Sequence, residues 1–153
     1  TPAGVMHLLA HYAIDVAGMT VAVIGRSLIV GKPLAIMLAN RSGGNATVIH
    51  CHTATRNLAE RTRSADMVIV AAGKPGLLAP AMLKPGAVVI DVGMNRIPDG
   101  NAAGGSCLVG DCDFAGLQGV AGAVTPVPGG VGLLTVAMLM RNLVQAAEQL
   151  ATA

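Results

Sequence analysis

The sequence predicts an α/β domain, a doubly wound and mainly parallel sheet with helices on both faces. Two observations carry that reading. Short, wholly apolar runs such as Met67-Val68-Ile69-Val70-Ala71 alternate with helical segments, and a strand apolar on both faces belongs in a sheet covered on both sides. Residues 21–33, Val-Ala-Val-Ile-Gly-Arg-Ser-Leu-Ile-Val-Gly-Lys-Pro, read as a buried strand that runs into a glycine-bearing turn and then a helix with a proline in its first turn. At 153 residues the chain suits one domain with a substantial core.

The elements follow in order. Thr1 can cap a first helix with Pro2 at its opening position, and Val5, Leu8, Leu9 and Tyr12 then share a face expected to pack on the sheet. The first strand spans 20–24, a helix spans 32–40, a loop turns at Gly43 and Gly44, and the second strand spans 46–51. A short helix over 57–64 precedes the third strand, 67–71. Lys74-Pro75-Gly76 and Lys84-Pro85-Gly86 mark turns around a short helical piece, and Gly86 leads into a fourth strand, 87–92. Residues 95–105 form a surface excursion with hairpin character, 120–124 a further strand, and 132–150 the longest helix. Residues 1–19 are thus expected to be an interdomain or packing helix, and 20–153 one Rossmann-like domain with no repeat and no low-complexity segment.

Composition excludes several functions. With a net charge of +2, 12% charged residues and no basic run, neither nucleic acid nor an anionic membrane surface is expected as a partner. One Phe, one Tyr and no Trp leave no aromatic platform for stacking bases. Three cysteines without a C-x-x-C pair disfavour a disulfide framework and a zinc site, and point to a reducing, cytoplasmic compartment. The apolar stretch 131–140 contains Gly132 and Thr135, stops at Arg141, and is too short to cross a bilayer. No signal peptide is visible, and a chain opening at Thr1 is expected to have lost residues upstream.

In such a sheet a ligand lies beyond the carboxyl ends of the strands, so 25–31, 52–56, 72–76 (including Gly73) and 93–96 (including Met94) should form one surface. The turn departs from G-x-G-x-x-G, since Ser27 stands at the second glycine and the third arrives late, at Gly31. Its glycines would let the backbone approach a pyrophosphate, which the N–H groups and dipole of the following helix would stabilise. The second strand ends in Ile49-His50-Cys51-His52-Thr53-Ala54-Thr55-Arg56, without the carboxylate that usually meets a ribose 2′-hydroxyl. A 2′-phosphate would suit Thr53, Arg56 and Arg26, which favours NADP over NAD.

Other residues have plainer readings. His50, Cys51 and His52 are poor metal ligands, because alternate strand residues face opposite sides and no carboxylate lies nearby in sequence. Asp111 and Asp113 read as helix-cap or turn residues, and Met138 and Met140 as core or groove filler. The string Thr125-Pro126-Val127-Pro128-Gly129-Gly130-Val131-Gly132 is either a rigid connector or a loop against a flat ligand, with Thr135 then facing the cofactor.

Taken in order, Gly25-Arg26-Ser27 with Ile29-Val30-Gly31 and Pro33, Cys51-His52-Thr53, Val89-Ile90-Asp91-Val92-Gly93, and the 125–132 string resemble the signature series of the methylenetetrahydrofolate dehydrogenase/cyclohydrolase family. Thr1-Pro2 resembles that family's interdomain segment. The resemblance implies NADP-dependent oxidation of 5,10-methylenetetrahydrofolate to the 5,10-methenyl form and hydrolysis to 10-formyltetrahydrofolate, in one-carbon metabolism. It implies that Gly25, Arg26 and Ser27 hold the cofactor phosphates, and that Thr53 replaces a 2′-phosphate-binding serine. Met94 would contact the cofactor where relatives often have isoleucine, and Thr135 would neighbour the nicotinamide end.

The family's catalytic lysine, with a tyrosine before it, lies in an N-terminal folate-binding domain, and Lys32, Lys74 and Lys84 match no such motif. No catalytic residue is therefore assigned. The chain is expected to supply the cofactor domain alone, inactive by itself, with tetrahydrofolate derivatives engaged by the other domain and homodimerisation through this one. Two alternatives stay open: an NADP-binding or assembly module without catalysis, and another Rossmann oxidoreductase.

Overall fold

The apolar runs pair side by side in the computed structural model, which describes residues 1–99 and 105–152. Strands β1 (Thr20–Ile24), β2 (Thr47–Cys51), β3 (Met67–Val70), β4 (Val88–Asp91) and β7 (Ala123–Val124) form one parallel sheet in the order β2-β1-β3-β4-β7. Val21 stands opposite Val48 on one side and Met67 on the other. The strand order changes direction at β1, the topological position where open α/β sheets leave a crevice.

Alternation along the strands splits the core into two layers. Val21, Val23, Met67 and Ile69 point to one face, where they meet Leu34, Ala35 and Leu38 of helix α2 (Gly31–Ala39) and Val5 and Leu9 of α1 (Pro2–His11). Ala22, Ile24, Val68 and Val70 point to the other, against Ala65, Leu78, Leu83 and Leu117. Each fully buried Val, Leu or Ile contributes roughly 1.5–3 kcal/mol, so both faces of the sheet are driven to acquire cover. The second face is closed by α3 (Leu58–Arg63), a 3₁₀ turn (Pro80–Met82) and α4 (Phe114–Leu117).

The hairpin expected in the excursion is formed by β5 (Asn95–Pro98) and β6 (Ser106–Val109), paired antiparallel with Asn95 opposite Val109. Residues 100–104 of that excursion lie outside the described residues. The last strand is shorter than expected, Ala123–Val124, because the residues after Leu117 close into turns: the N–H groups of Val120 and Ala121 both donate to the Leu117 carbonyl.

Two side chains depart from their expected burial. Tyr12 is 67% exposed because α1 ends at His11 and Tyr12 is already its C-cap. Met140 is 56% exposed and so fills no core, whereas Met138 is half-buried. Both methionines lie on α5 (Val131–Ala151), which packs on α1 and buries only Val131 completely. Among the described residues no helix is long and apolar enough to cross a membrane.

Candidate functional site

Parallel pairing brings the four strand-end segments to one end of the sheet. The ladder continues one residue past each strand: Gly25 N–H donates to the Cys51 carbonyl at 2.9 Å, Ala71 N–H to Ile24 at 2.8 Å, and Val92 N–H to Val70 at 2.8 Å. Residues 25–31, 52–56, 72–76 and 93–96 therefore leave the sheet side by side.

The turn after β1 is built around two positions that admit no side chain. Gly25 has φ +119°, and a Cβ there would stand 2.1 Å from the Ala71 carbonyl oxygen; at Gly31 it would stand 1.9 Å from that of Gly25. Ser27 organises what lies between. Its Oγ accepts from the N–H groups of Val30 at 3.1 Å and Gly31 at 3.3 Å, and its carbonyl accepts from Lys32 N–H at 3.0 Å. The first amides of α2 are thus occupied, while those of Arg26 and Ser27 meet no acceptor among the described residues. With the Arg26 and Ser27 side chains exposed, the turn offers free N–H donors, a hydroxyl hydrogen and a guanidinium to an anion. A dinucleotide pyrophosphate fits this donor set.

At the end of β2 the histidines serve the backbone. His50 Nε2 donates to the Gly25 carbonyl at 2.7 Å. His52 Nδ1 accepts from Ala54 N–H at 3.2 Å, Thr55 Oγ1 accepts from His52 N–H at 2.8 Å, and Thr55 N–H donates to the His52 carbonyl at 2.8 Å. These bonds close a tight loop with Thr53 exposed within it and Arg56 exposed just beyond. Cys51 is buried, which pushes its thiol pKa up against the opposing charge of Arg61. Among the described residues no three His, Cys, Asp or Glu side chains gather as a metal site.

Two buried carboxylates complete the end of the sheet, and sequence reasoning missed both. Asp111, 0% exposed, accepts from the N–H groups of Ala72 at 2.6 Å and Gly73 at 2.8 Å, and from Asn95 Nδ2 at 2.8 Å. Asp91 accepts from the N–H groups of Gly93 and Asp111, both at 2.9 Å, and of Cys112 at 2.8 Å. A Cβ on Gly110 would stand 2.0 Å from the Asp91 carboxylate, and one on Gly93 2.3 Å from that of Asp111. Asp111 is thus neither cap nor turn residue, whereas Asp113 does cap α4, accepting from Gly116 N–H at 3.1 Å. No local spacing in the sequence signals this corner, because the glycine that makes room for each carboxylate belongs to the other segment, Gly110 for Asp91 and Gly93 for Asp111. Burial, then the charges of Asp91 and Asp111, drive the Cys112 thiol pKa far up, so it is no nucleophile.

The remaining predicted residues lie around this end. Gly73 is exposed with φ +67°. Met94 is 62% exposed, its Cε 3.1 Å from where a Gly132 Cβ would stand, so the segment after β4 touches the first turn of α5. Thr125 Oγ1 accepts from Asp91 N–H at 2.8 Å, fastening the glycine- and proline-rich loop to β4. That loop borders a groove of about 1050 Å³ between α1, α5 and the β4–β7 edge. Thr135 Oγ1 instead meets Thr1 Oγ1 at 2.9 Å and the Val131 carbonyl, a tie between α1 and α5 with no hydrogen bond to the strand-end segments.

Comparison with known proteins agrees with this geometry. The family described as tetrahydrofolate dehydrogenase/cyclohydrolase, NAD(P)-binding domain, matches residues 1–151. The chain is 54% identical over 149 residues to the bifunctional protein FolD of Nitrosospira multiformis, covering 97% of this chain and 49% of that protein. It is 51% identical over 148 residues to that of Desulfotalea psychrophila, covering 96% and 50%. It is similar, at 40% identity and TM-score 0.92, to a Trypanosoma brucei methylenetetrahydrofolate dehydrogenase-cyclohydrolase solved with NADP cofactor and inhibitor, over 99% of this chain and 51% of that one. The chain spans about half the length of the curated relatives it matches. A family match over nearly every residue, on a parallel sheet whose strand ends carry a glycine-closed anion cradle, shows that the chain belongs to the tetrahydrofolate dehydrogenase/cyclohydrolase family through its NAD(P)-binding domain.

Proposed function

We propose that this chain binds NADP as the cofactor domain of an enzyme that oxidises 5,10-methylenetetrahydrofolate to the 5,10-methenyl form and hydrolyses it to 10-formyltetrahydrofolate. The carrying observation is the Gly25–Gly31 turn, closed to side chains at both ends and presenting the free N–H groups of Arg26 and Ser27. Gly25, Arg26 and Ser27 hold the phosphates. Thr53 and Arg56, helped by Arg26, take the 2′-phosphate, a role supported by the carboxylate-free end of β2 and the exposure of Thr53. Gly73 and Met94 border the dinucleotide. Thr135 acts through position, steadying α5 while Gly132 of its first turn lies against Met94.

NADP, when bound, supplies the hydride acceptor. The chain's own work is to bind and orient it: the cradle fixes the pyrophosphate, and the Asp91 and Asp111 carboxylates hold the flanking loops where they leave the sheet. No residue of this domain is given a catalytic role. Residues 1–19 act as the interdomain packing helix and 20–153 as the cofactor domain, and the folate-binding half of the enzyme brings the reacting groups. The enzyme is placed in the cytoplasm as a homodimer, a reading supported by three free cysteines and by the family resemblance.

Parallel thermal-shift titrations with NADP and NAD test the cofactor reading. A ligand at one hundred times its Kd adds roughly 2.7 kcal/mol of stability, so NADP should raise Tm at lower concentration than NAD. An equal or larger shift with NAD overturns it, and folate turnover by this chain alone overturns its assignment as a cofactor domain without catalytic groups.

A further inference from the structure

We infer that His50 is a positioning residue of the dinucleotide cradle, which fixes the Gly25–Arg26 peptide in the orientation that receives a phosphate; the inference rests on the NADP-binding reading above. The Gly25 carbonyl can only accept, so the 2.7 Å contact makes His50 Nε2 the donor and leaves the proton off Nδ1 in the neutral ring. In a trans peptide the carbonyl and the following N–H point in opposite directions. With the Gly25 oxygen directed at His50, the Arg26 N–H is directed away from it, and it meets no acceptor among the described residues.

The alternative orientation is within easy reach of this backbone. Gly25 already has φ +119° and no Cβ to oppose rotation of the adjoining peptide. A flipped Gly25–Arg26 peptide would present a carbonyl oxygen to the pyrophosphate in place of an N–H, turning attraction into repulsion. Gly31 approaches the same oxygen closely but, through its Cα, supplies no donor. Among the described residues, His50 is the group that donates a hydrogen bond to the Gly25 carbonyl. It stands on the half-buried edge strand β2, beside the turn it holds. The role does not distinguish cofactors, because NADP and NAD share the pyrophosphate.

Three chains test this: the native one, His50→Phe, which keeps a ring without a donor, and His50→Gln, whose amide can donate to the same carbonyl. His50→Phe should weaken NADP and NAD by the same factor, roughly threefold to tenfold, the range of one hydrogen bond, and His50→Gln should recover most of that loss. Unchanged binding by His50→Phe, a loss confined to NADP, or a loss that His50→Gln leaves in place would each overturn the role. The imidazole tautomer of the ligand-free chain, read from long-range ¹H–¹⁵N NMR correlations, judges the contact without any dinucleotide. Nε2 protonation is expected, and Nδ1 protonation overturns the contact and the positioning role with it, while leaving the proposed function standing. Failure of the native chain to bind either dinucleotide overturns the proposed function and the positioning role with it.

Discussion

Asp111 and Gly73, 38 residues apart in sequence, meet at 2.8 Å: the fully buried carboxylate of one accepts the N–H of the other at the mouth of the proposed cofactor site. The same Oδ2 accepts Ala72 N–H at 2.6 Å, so one oxygen holds the loop that follows β3.

Asp111→Ala would leave three donors facing a void, the Ala72 and Gly73 amides and the Asn95 side chain. A loss of about 3 kcal/mol is expected, the upper range for an unsatisfied buried group. Urea unfolding measures it. Hydrogen exchange at Ala72 and Gly73 should accelerate more than at Gly25, whose bond to Cys51 is untouched. Asp111→Asn keeps an acceptor but brings an N–H₂ against these donors, and should fall between native and Asp111→Ala.

Gly31→Ala would place a methyl group 1.9 Å from a backbone oxygen that cannot give way, at the start of α2. A loss of more than about 3 kcal/mol is expected, with dinucleotide binding abolished. Gly76→Ala is the control. Unlike Gly31, Gly76 has a left-handed φ, +65°, but a Cβ there meets nothing within 4 Å, so only conformational strain of about 1 kcal/mol should appear in the melting curve.

Thr53→Val removes a hydroxyl and keeps the shape. Calorimetric titration should show NADP binding weakened roughly threefold to tenfold and NAD binding unchanged. A loss shared by both dinucleotides would place Thr53 away from the 2′-phosphate.

Asp66 accepts hydrogen bonds from Lys84 Nζ at 2.6 Å and from Thr20 N–H at 3.0 Å, and these, Lys84 first, hold its pKa below the ordinary carboxylate value. A lowered folded-state pKa means that the contribution is complete above the unfolded value of about 3.9 and is lost as pH falls through the folded one. Asp66→Asn should therefore be less stable than the native chain at pH 7, and the gap should close in acid. The pair is exposed, so its contribution is expected below about 1 kcal/mol.

Cys107 is half-buried, whereas Cys51 and Cys112 are buried with raised thiol pKa values. Alkylation of the native protein near pH 8, followed by peptide mass spectrometry, should label Cys107 first. Cys112 should react only on unfolding. Early modification of Cys112 would contradict the packing of the Asp91–Asp111 corner.

By itself the sequence determined the parallel α/β architecture, the position of nearly every element and the cradle turn. These rest on local quantities: the period of apolar residues, β-branched runs, and glycines where the backbone must turn or be approached. The end of β1 at Ile24 and the start of α2 beside Gly31 were legible for that reason. Tertiary structure alone decided which group satisfies which. Asp111 looked like a cap because its donors lie 38 and 39 residues away, His50 of β2 gave no sign of a partner because its acceptor follows the neighbouring strand 25 residues earlier, and Thr135 answers to Thr1 at the far end of the chain. A buried polar group takes whatever partner packing brings within about 3 Å, and no spacing along the chain encodes that distance.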